Sequence, residues 1–155
     1  MSKVRRAEET DVPELVRLRS LLFETLRGDF FNPPGNDIWR ENLTTSLKQD
    51  LTKENARILV VDAEVGLAAC AVGTYEVWLP SPSRPNGRMG SIIGVVTDPS
   101  HRRQGHSRAL MQALQTWFRE NDVRRVDLHA SPESEGLYRS LGFTDHPDPS
   151  LTWRP

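Results

Sequence analysis

Hydrophobic positions recur along this chain with two periods, and each change of period marks a boundary. Lys3–Ala7 is short and extended in pattern, a first strand. Thr10-Asp11-Val12-Pro13-Glu14 places a capping side chain, a first-turn proline and acidic residues together, which predicts a helix start. Leu15, Leu18, Leu22 and Leu26 then form one apolar stripe that should stop at Gly28. The segment from Asp29 to Asp37 is turn-rich, and Pro33-Pro34-Gly35 forbids a continuous helix. Trp39, Leu43 and Leu47 predict a second helix over Ile38–Asp50. Arg57–Asp62 and Leu67–Leu79 read as a hairpin around Gly66, and Pro80–Gly87 as a proline-rich loop. Val123–Ala130 is predicted as a strand with Val126, Leu128 and Ala130 on one face and Asp127 and His129 on the other. A helix opens at Ser131-Pro132-Glu133, carries Leu137, Tyr138 and Leu141, and ends at Gly142; short strands are expected at Phe143 and Leu151–Arg154. No repeat or domain boundary interrupts the pattern, so residues 1–155 are read as a single domain.

The most informative stretch is Ser91–Phe118. The β-branched run Ile92-Ile93-Gly94-Val95-Val96-Thr97 leads into a basic, glycine-containing loop. An amphipathic run with Leu110, Leu114, Trp117 and Phe118 follows. A strand–loop–helix unit aims free backbone N–H groups and the positive end of a helix dipole at whatever precedes the helix. With Arg102, Arg103 and Arg108 nearby, the simplest partner is a phosphate or pyrophosphate; which arginine reaches it is left open. The loop lacks the Gly-Lys-Ser/Thr of a Walker A motif and the spacing of a G-x-G-x-x-G fingerprint.

Composition narrows the setting. The 155 residues carry a formal net charge of −1 and are 37% hydrophobic, within reach of a soluble globular protein. A near-neutral chain disfavours nucleic-acid binding, which calls for a basic field over one face. No apolar run approaches the ~20 residues of a membrane helix, and the first residues lack the apolar core of a signal peptide, so the expected location is the cytoplasm. The single cysteine, Cys70, lies in an apolar run and is expected to be a buried thiol, not part of a metal site; no metal is expected.

Two motifs carry a family resemblance. Arg102-Arg103-Gln104-Gly105-His106-Ser107, preceded by Thr97-Asp98-Pro99, resembles the coenzyme A loop of the GNAT superfamily of N-acetyltransferases, whose pattern is Arg/Gln-x-x-Gly-x-Gly/Ala. Ser107 departs from it, standing where Gly or Ala is usual. About thirty residues on, Leu137-Tyr138-Arg139-Ser140-Leu141-Gly142-Phe143 resembles a second family segment, Leu-Tyr-x-x-Leu-Gly-Phe. The resemblance implies an α/β (α+β) GNAT fold: a mixed, mostly antiparallel central sheet, splayed between two strands and flanked by about four helices. It implies acetyl-CoA as co-substrate, entering the splay. Val95, Val96 and Thr97 would pair with the pantetheine arm as an added strand does. Arg102, Arg103, Gln104, Gly105, His106, Ser107 and Arg108 would surround the pyrophosphate, and Ser131 falls where the family often has a coenzyme-contacting asparagine, although helix capping also accounts for it.

Acetyl transfer from a thioester to an amine requires a neutral amine, a stabilised oxyanion and a proton for the leaving thiolate. Tyr138 matches the family's proton-donating tyrosine. His129 is the candidate base, with Asp127, Glu76, Glu24, Asp29 and Asp37 as rivals. Phe30, Phe31, Asp37, Trp39, Tyr75 and Trp78 are the candidate acceptor contacts. Their mixture of rings and acids suggests an amine on an apolar or ring-bearing body, either a small molecule or a peptide. The reading leaves room for a homodimer. A GNAT-fold module that binds an acyl-CoA without turnover, as a sensor or partner, is the alternative; Tyr138 favours the enzyme.

Overall fold

The computed structural model describes residues 2–25 and 37–155. Leu26, Gly28 and the turn-rich segment through residue 36, with Asp29, Phe30 and Phe31, lie outside the described residues. Strands β1 (Val4–Arg6), β2 (Ala56–Asp62), β3 (Leu67–Val77), β4 (Arg88–Thr97) and β5 (Val126–Asp127) form one sheet in the order β1-β2-β3-β4-β5. The first three pairings are antiparallel and β4–β5 is parallel. The described helices are α1 (Val12–Thr25), α2 (Ile38–Asp50), α3 (His106–Glu120) and α4 (Glu135–Ser140). This is the mixed, mostly antiparallel sheet with four flanking helices that the resemblance implies.

Each face of the sheet has its own core. On one, Leu110, Met111, Leu114, Trp117 and Phe118 of α3 pack with Leu59, Val61, Ala69, Ala71 and Ile92, and α4 adds Tyr138. On the other, Val12, Leu15 and Leu18 of α1 and Leu47 of α2 cover Ile58, Val60, Cys70 and Val96. Coverage of both faces explains why β2 and β3 read as continuous apolar runs. Cys70 is buried, and burial pushes its thiol up to about 12.

The splay has a local cause. Val72 pairs with Gly94 and Gly73 with Ile92, so Ile93 is an extra residue in β4. Such a bulge bends its strand. β5 stays beside β4 only before the bulge, at Gly90↔Val126 and Ser91↔Asp127. Beyond it the chain from Leu128 turns away, and the edge of β4 from Ile92 to Thr97 has no strand partner among the described residues.

This corrects several expectations. The predicted strand Val123–Ala130 shrinks to two residues because the sheet diverges there. The helix expected at Ser131 starts at Glu135. β4 begins at Arg88, earlier than the apolar run indicated. No strand forms at Phe143 or Leu151–Arg154. Pro147 and Pro149 remove alternate backbone donors, and Leu151 and Trp153 are 91% and 85% exposed, with no core to hold them.

Candidate active site

The loop after β4 is held from behind. Asp98 accepts hydrogen bonds from the backbone N of Ser100 at 2.9 Å and from its hydroxyl at 2.7 Å, capping a 3-10 turn over Pro99–His101. Arg17 of α1 donates to Asp98 at 2.6 Å and to Glu14 at 2.6 Å, and Glu14 accepts from the backbone N of Leu67 at 2.8 Å. One arginine thus ties α1, the start of β3 and the loop together. The two Ser100 donors and Arg17 hold the Asp98 carboxyl far below its ordinary range; Arg17 holds Glu14 down as well.

Past that anchor the backbone takes left-handed turns at Arg103 (φ 62°) and Gly105 (φ 79°), and α3 starts at His106. Left-handed residues interleaved with ordinary ones turn successive N–H groups toward a common concavity, a geometry suited to anions. A Cβ at Gly105 would meet nothing within 4 Å, so the space beside the loop is open. Arg102 and Arg103 are exposed and have no hydrogen bond or ion pair among the described residues. Arg108 is differently placed, donating to Ser140 on α4 at 3.1 Å. His106 faces backward: Nδ1 lies 2.7 Å from the Ser2 hydroxyl and Nε2 3.2 Å from Gln104 Oε1. Burial, with His101 and the chain's amino terminus, lowers its pKa. The Ser107 and Thr97 hydroxyls share a hydrogen bond of 3.0 Å, so the atypical serine joins the end of β4 to the start of α3.

Tyr138 is buried on the α3 face, its ring 6.2 Å from that of Phe143. Burial raises its pKa, with the Ser134 side chain opposing. The ring borders a cavity of about 200 Å³ with Leu128, Ala130 and Phe143. His129 is exposed and lines a different, larger cavity of about 1190 Å³, bounded by Ser91–Ile93, the C-terminal half of α3 and residues 142–147. Leu128 and Phe143 belong to both walls, so Tyr138 and His129 are neighbours across them rather than partners in one hole. Neither cavity is lined by the loop at 102–107, beside which the space at Gly105 is open. Ser131 is exposed and bonds to the Ser134 hydroxyl at 2.9 Å, part of the turn that starts α4.

The acceptor set does not assemble as one pocket. Asp37 is exposed and ion-paired with Arg40. Trp39 meets Phe23 of α1 edge-on, ring centroids 5.3 Å apart, and Arg40 lies over the Trp39 ring. Tyr75 is on the opposite face of the sheet, buried against Trp117 at 5.6 Å. Trp78 is half-exposed beyond the end of β3, where Arg84 lies over it. Tyr75 pairs with Gly90, five residues before Val95, about 17 Å along the strand. Both Tyr75 and Trp78 are therefore remote from Val95. Tyr75 stands on a nearly continuous apolar strand, with no pattern to distinguish its inward face from a ligand-facing one.

Two features escaped the sequence. The bulge at Ile93 leaves no mark in a continuous apolar run. Arg19, four residues after Leu15 and three before Leu22, lies on the apolar side of α1; a cation on that stripe is the one signal that was available. Its guanidinium rests against Gly94, where a Cβ would come within 2.7 Å of Nη1. Among the described residues no three His, Cys, Asp or Glu side chains are grouped to hold a metal ion, and no helix is long and apolar enough to cross a membrane.

Comparison with known proteins agrees with this geometry. The crystal structure of a predicted acetyltransferase with acetyl-CoA from Clostridium acetobutylicum superposes with a TM-score of 0.83 at 23% identity, over 99% of this chain and 96% of that one. A glucosamine-6-phosphate N-acetyltransferase from Arabidopsis thaliana gives a TM-score of 0.74 at 19% identity, over 99% and 98% of the two chains. A serotonin N-acetyltransferase 2, chloroplastic, from Oryza sativa subsp. japonica is 39% identical over 57 residues, 37% of this chain and 28% of that protein's length. Residues 17–143 match the model of the acetyltransferase (GNAT) family, and the chain belongs to that family.

Proposed function

We propose that this protein transfers an acetyl group from acetyl-CoA to a primary amine of a small molecule or peptide, by direct attack in a ternary complex. The observation that carries this reading is the β4 edge, which has no strand partner among the described residues from the Ile93 bulge onward and ends at a left-handed loop with two exposed arginines. The donor set fits the group: backbone along Ile92–Thr97 for the amides of the pantetheine arm, N–H groups at 103–107 and the Arg102 and Arg103 side chains for the pyrophosphate, and open space at Gly105.

When bound, acetyl-CoA supplies the thioester carbonyl carbon. The amine nitrogen forms its bond to that carbon, the C–S bond breaks, the nitrogen loses a proton to a base and the thiolate gains one from an acid. A backbone N–H near Val95, beside the bulge, is assigned to the oxyanion. Tyr138 is assigned as the acid: a phenol carries its proton at neutral pH, and burial raises its pKa further. His129, on the neighbouring cavity wall, is assigned as the base, directly or through water.

The test is thiol release over an amine panel alongside thermal stabilisation by acetyl-CoA. Tyr138→Phe should lower kcat about 10²-fold and keep the stabilisation. Wild-type turnover in that variant would remove Tyr138 as the acid.

A further inference from the structure

Arg19 is half-buried yet has neither hydrogen bond nor ion pair to an acceptor among the described residues. Its neighbour Arg17 is held by Glu14 and Asp98, and Arg5 by Asp11 and Asp62. Burial lowers the Arg19 pKa. Its guanidinium lies 5.3 Å from the Phe23 ring centroid, an uncharged partner. Cys70, close by, keeps its proton and offers no anion. Arg57 is also desolvated, but it lies on β2 over Trp117, on the α3 face. Arg19 is on the other face, against Gly94, one residue from Val95 and just past the bulge. The absent Cβ at Gly94 is what lets the guanidinium approach β4 so closely. A half-buried guanidinium whose donor fork is unmatched among the described residues is a good receptor for a planar carboxylate or a phosphate.

We propose that Arg19 binds an anionic group on the acceptor, so that the preferred amine also carries a carboxylate or a phosphate. This rests on the acetyl-transfer reading for its location near the thioester. It also revises the picture drawn from rings and acids: Asp37 is ion-paired with Arg40, whereas Arg19 has no such partner among the described residues. Phe23 and Trp39 would flank the body of such an acceptor, with Arg19 fixing its anionic end.

Two measurements test it. Side-chain Nε–H signals of the full chain are followed by NMR while inorganic phosphate or acetate is added. Thiol release is measured with two matched pairs, alanine against alaninamide and glucosamine 6-phosphate against glucosamine. Phosphate or acetate should move the Arg19 signal. The anionic member of one pair should react about 10- to 100-fold better in kcat/KM, and which pair does so separates carboxylate from phosphate. Arg19→Gln should collapse that selectivity toward one through KM, with acetyl-CoA stabilisation retained. Arg19→Lys, which keeps the charge but not the fork, should recover part of it and guards against a folding defect in the glutamine variant. An Arg19 signal unmoved by either anion, or neutral amines that serve equally well, would overturn the proposal. Failure of the acetyl-transfer reading looks different: no stabilisation by acetyl-CoA and no thiol release with any amine, in which case the anion titration alone decides whether Arg19 is a receptor.

Discussion

Ser107 is the residue at which the coenzyme loop departs from the family pattern, and its hydroxyl is turned to Thr97 rather than outward. The serine therefore does a structural job that glycine or alanine cannot, bonding the last residue of β4 to the first turn of α3. Ser107→Ala should destabilise the fold by about 1 kcal/mol, the net worth of a hydrogen bond, and leave the acetyl-CoA Kd nearly unchanged. Gly105→Val should behave oppositely. Its backbone strain costs about 1–2 kcal/mol, but the new side chain enters the open space beside the loop and should weaken acetyl-CoA binding more than tenfold. Titration calorimetry and thermal melts of the two variants separate these outcomes. Equal losses of affinity would mean that the Ser107 hydroxyl does face the phosphates. His106 shows the same principle from the other direction: it sits within the motif, yet its imidazole holds the loop to Ser2 and Gln104 instead of facing the groove.

Among the elements, the one that positions the site is α1, through Arg17. Asp98 has a lower pKa folded than unfolded, because Ser100 and Arg17 stabilise its charged form. Its contribution is therefore complete above the ordinary Asp range near pH 4 and is lost as pH falls below it. Asp98→Asn keeps an oxygen to cap the 3-10 turn but gives up the charge opposite Arg17. It should cost about 1 kcal/mol at neutral pH and flatten the acid limb of the stability profile, measured by denaturant unfolding from pH 7 to 2. An unchanged limb would show that Glu14, Asp11 and Asp62, lowered in the same sense, carry it without Asp98. This clamp was not legible in the sequence, since Glu14, Arg17, Leu67 and Asp98 are brought together only by the packing of α1 on the sheet. Periodicity did locate α2, β2, β3 and α3, where local pattern and burial agree. It failed after Val126, where an alternating run looked like a full strand but the neighbouring strand bends away. The proposed coenzyme loop could be picked out from the sequence because a loop's chemistry is contiguous. The proposed acceptor contacts could not: Arg19, Phe23, Trp39 and Gly94 come from three elements.

At the scale of the molecule, β3 lies at the centre of the sheet, paired on both sides and covered on both faces. Its amides should exchange most slowly with solvent, at or near the global unfolding rate. The chain after Gly142 has no ladder and should exchange fastest, even though Asp145 is tied to Arg139 and His146 to Arg125. These two regions border different spaces. The larger cavity is walled partly by residues 142–147, whereas the loop at 102–107 joins α3 to β4, which β3 supports. A coenzyme that binds as proposed takes the rigid side. Adding acetyl-CoA should slow exchange at residues 103–107 and along the Ile92–Thr97 edge about tenfold or more, with little change at residues 143–150. Protection appearing first in the tail and β5 would put the coenzyme in the larger cavity and detach the glycine loop from its assigned role. Rigidity favours the loop: pyrophosphate recognition by backbone N–H groups requires them to be fixed in advance, and the Asp98 cap and Arg17 clamp hold the chain entering the loop while the Thr97–Ser107 bond holds the chain leaving it.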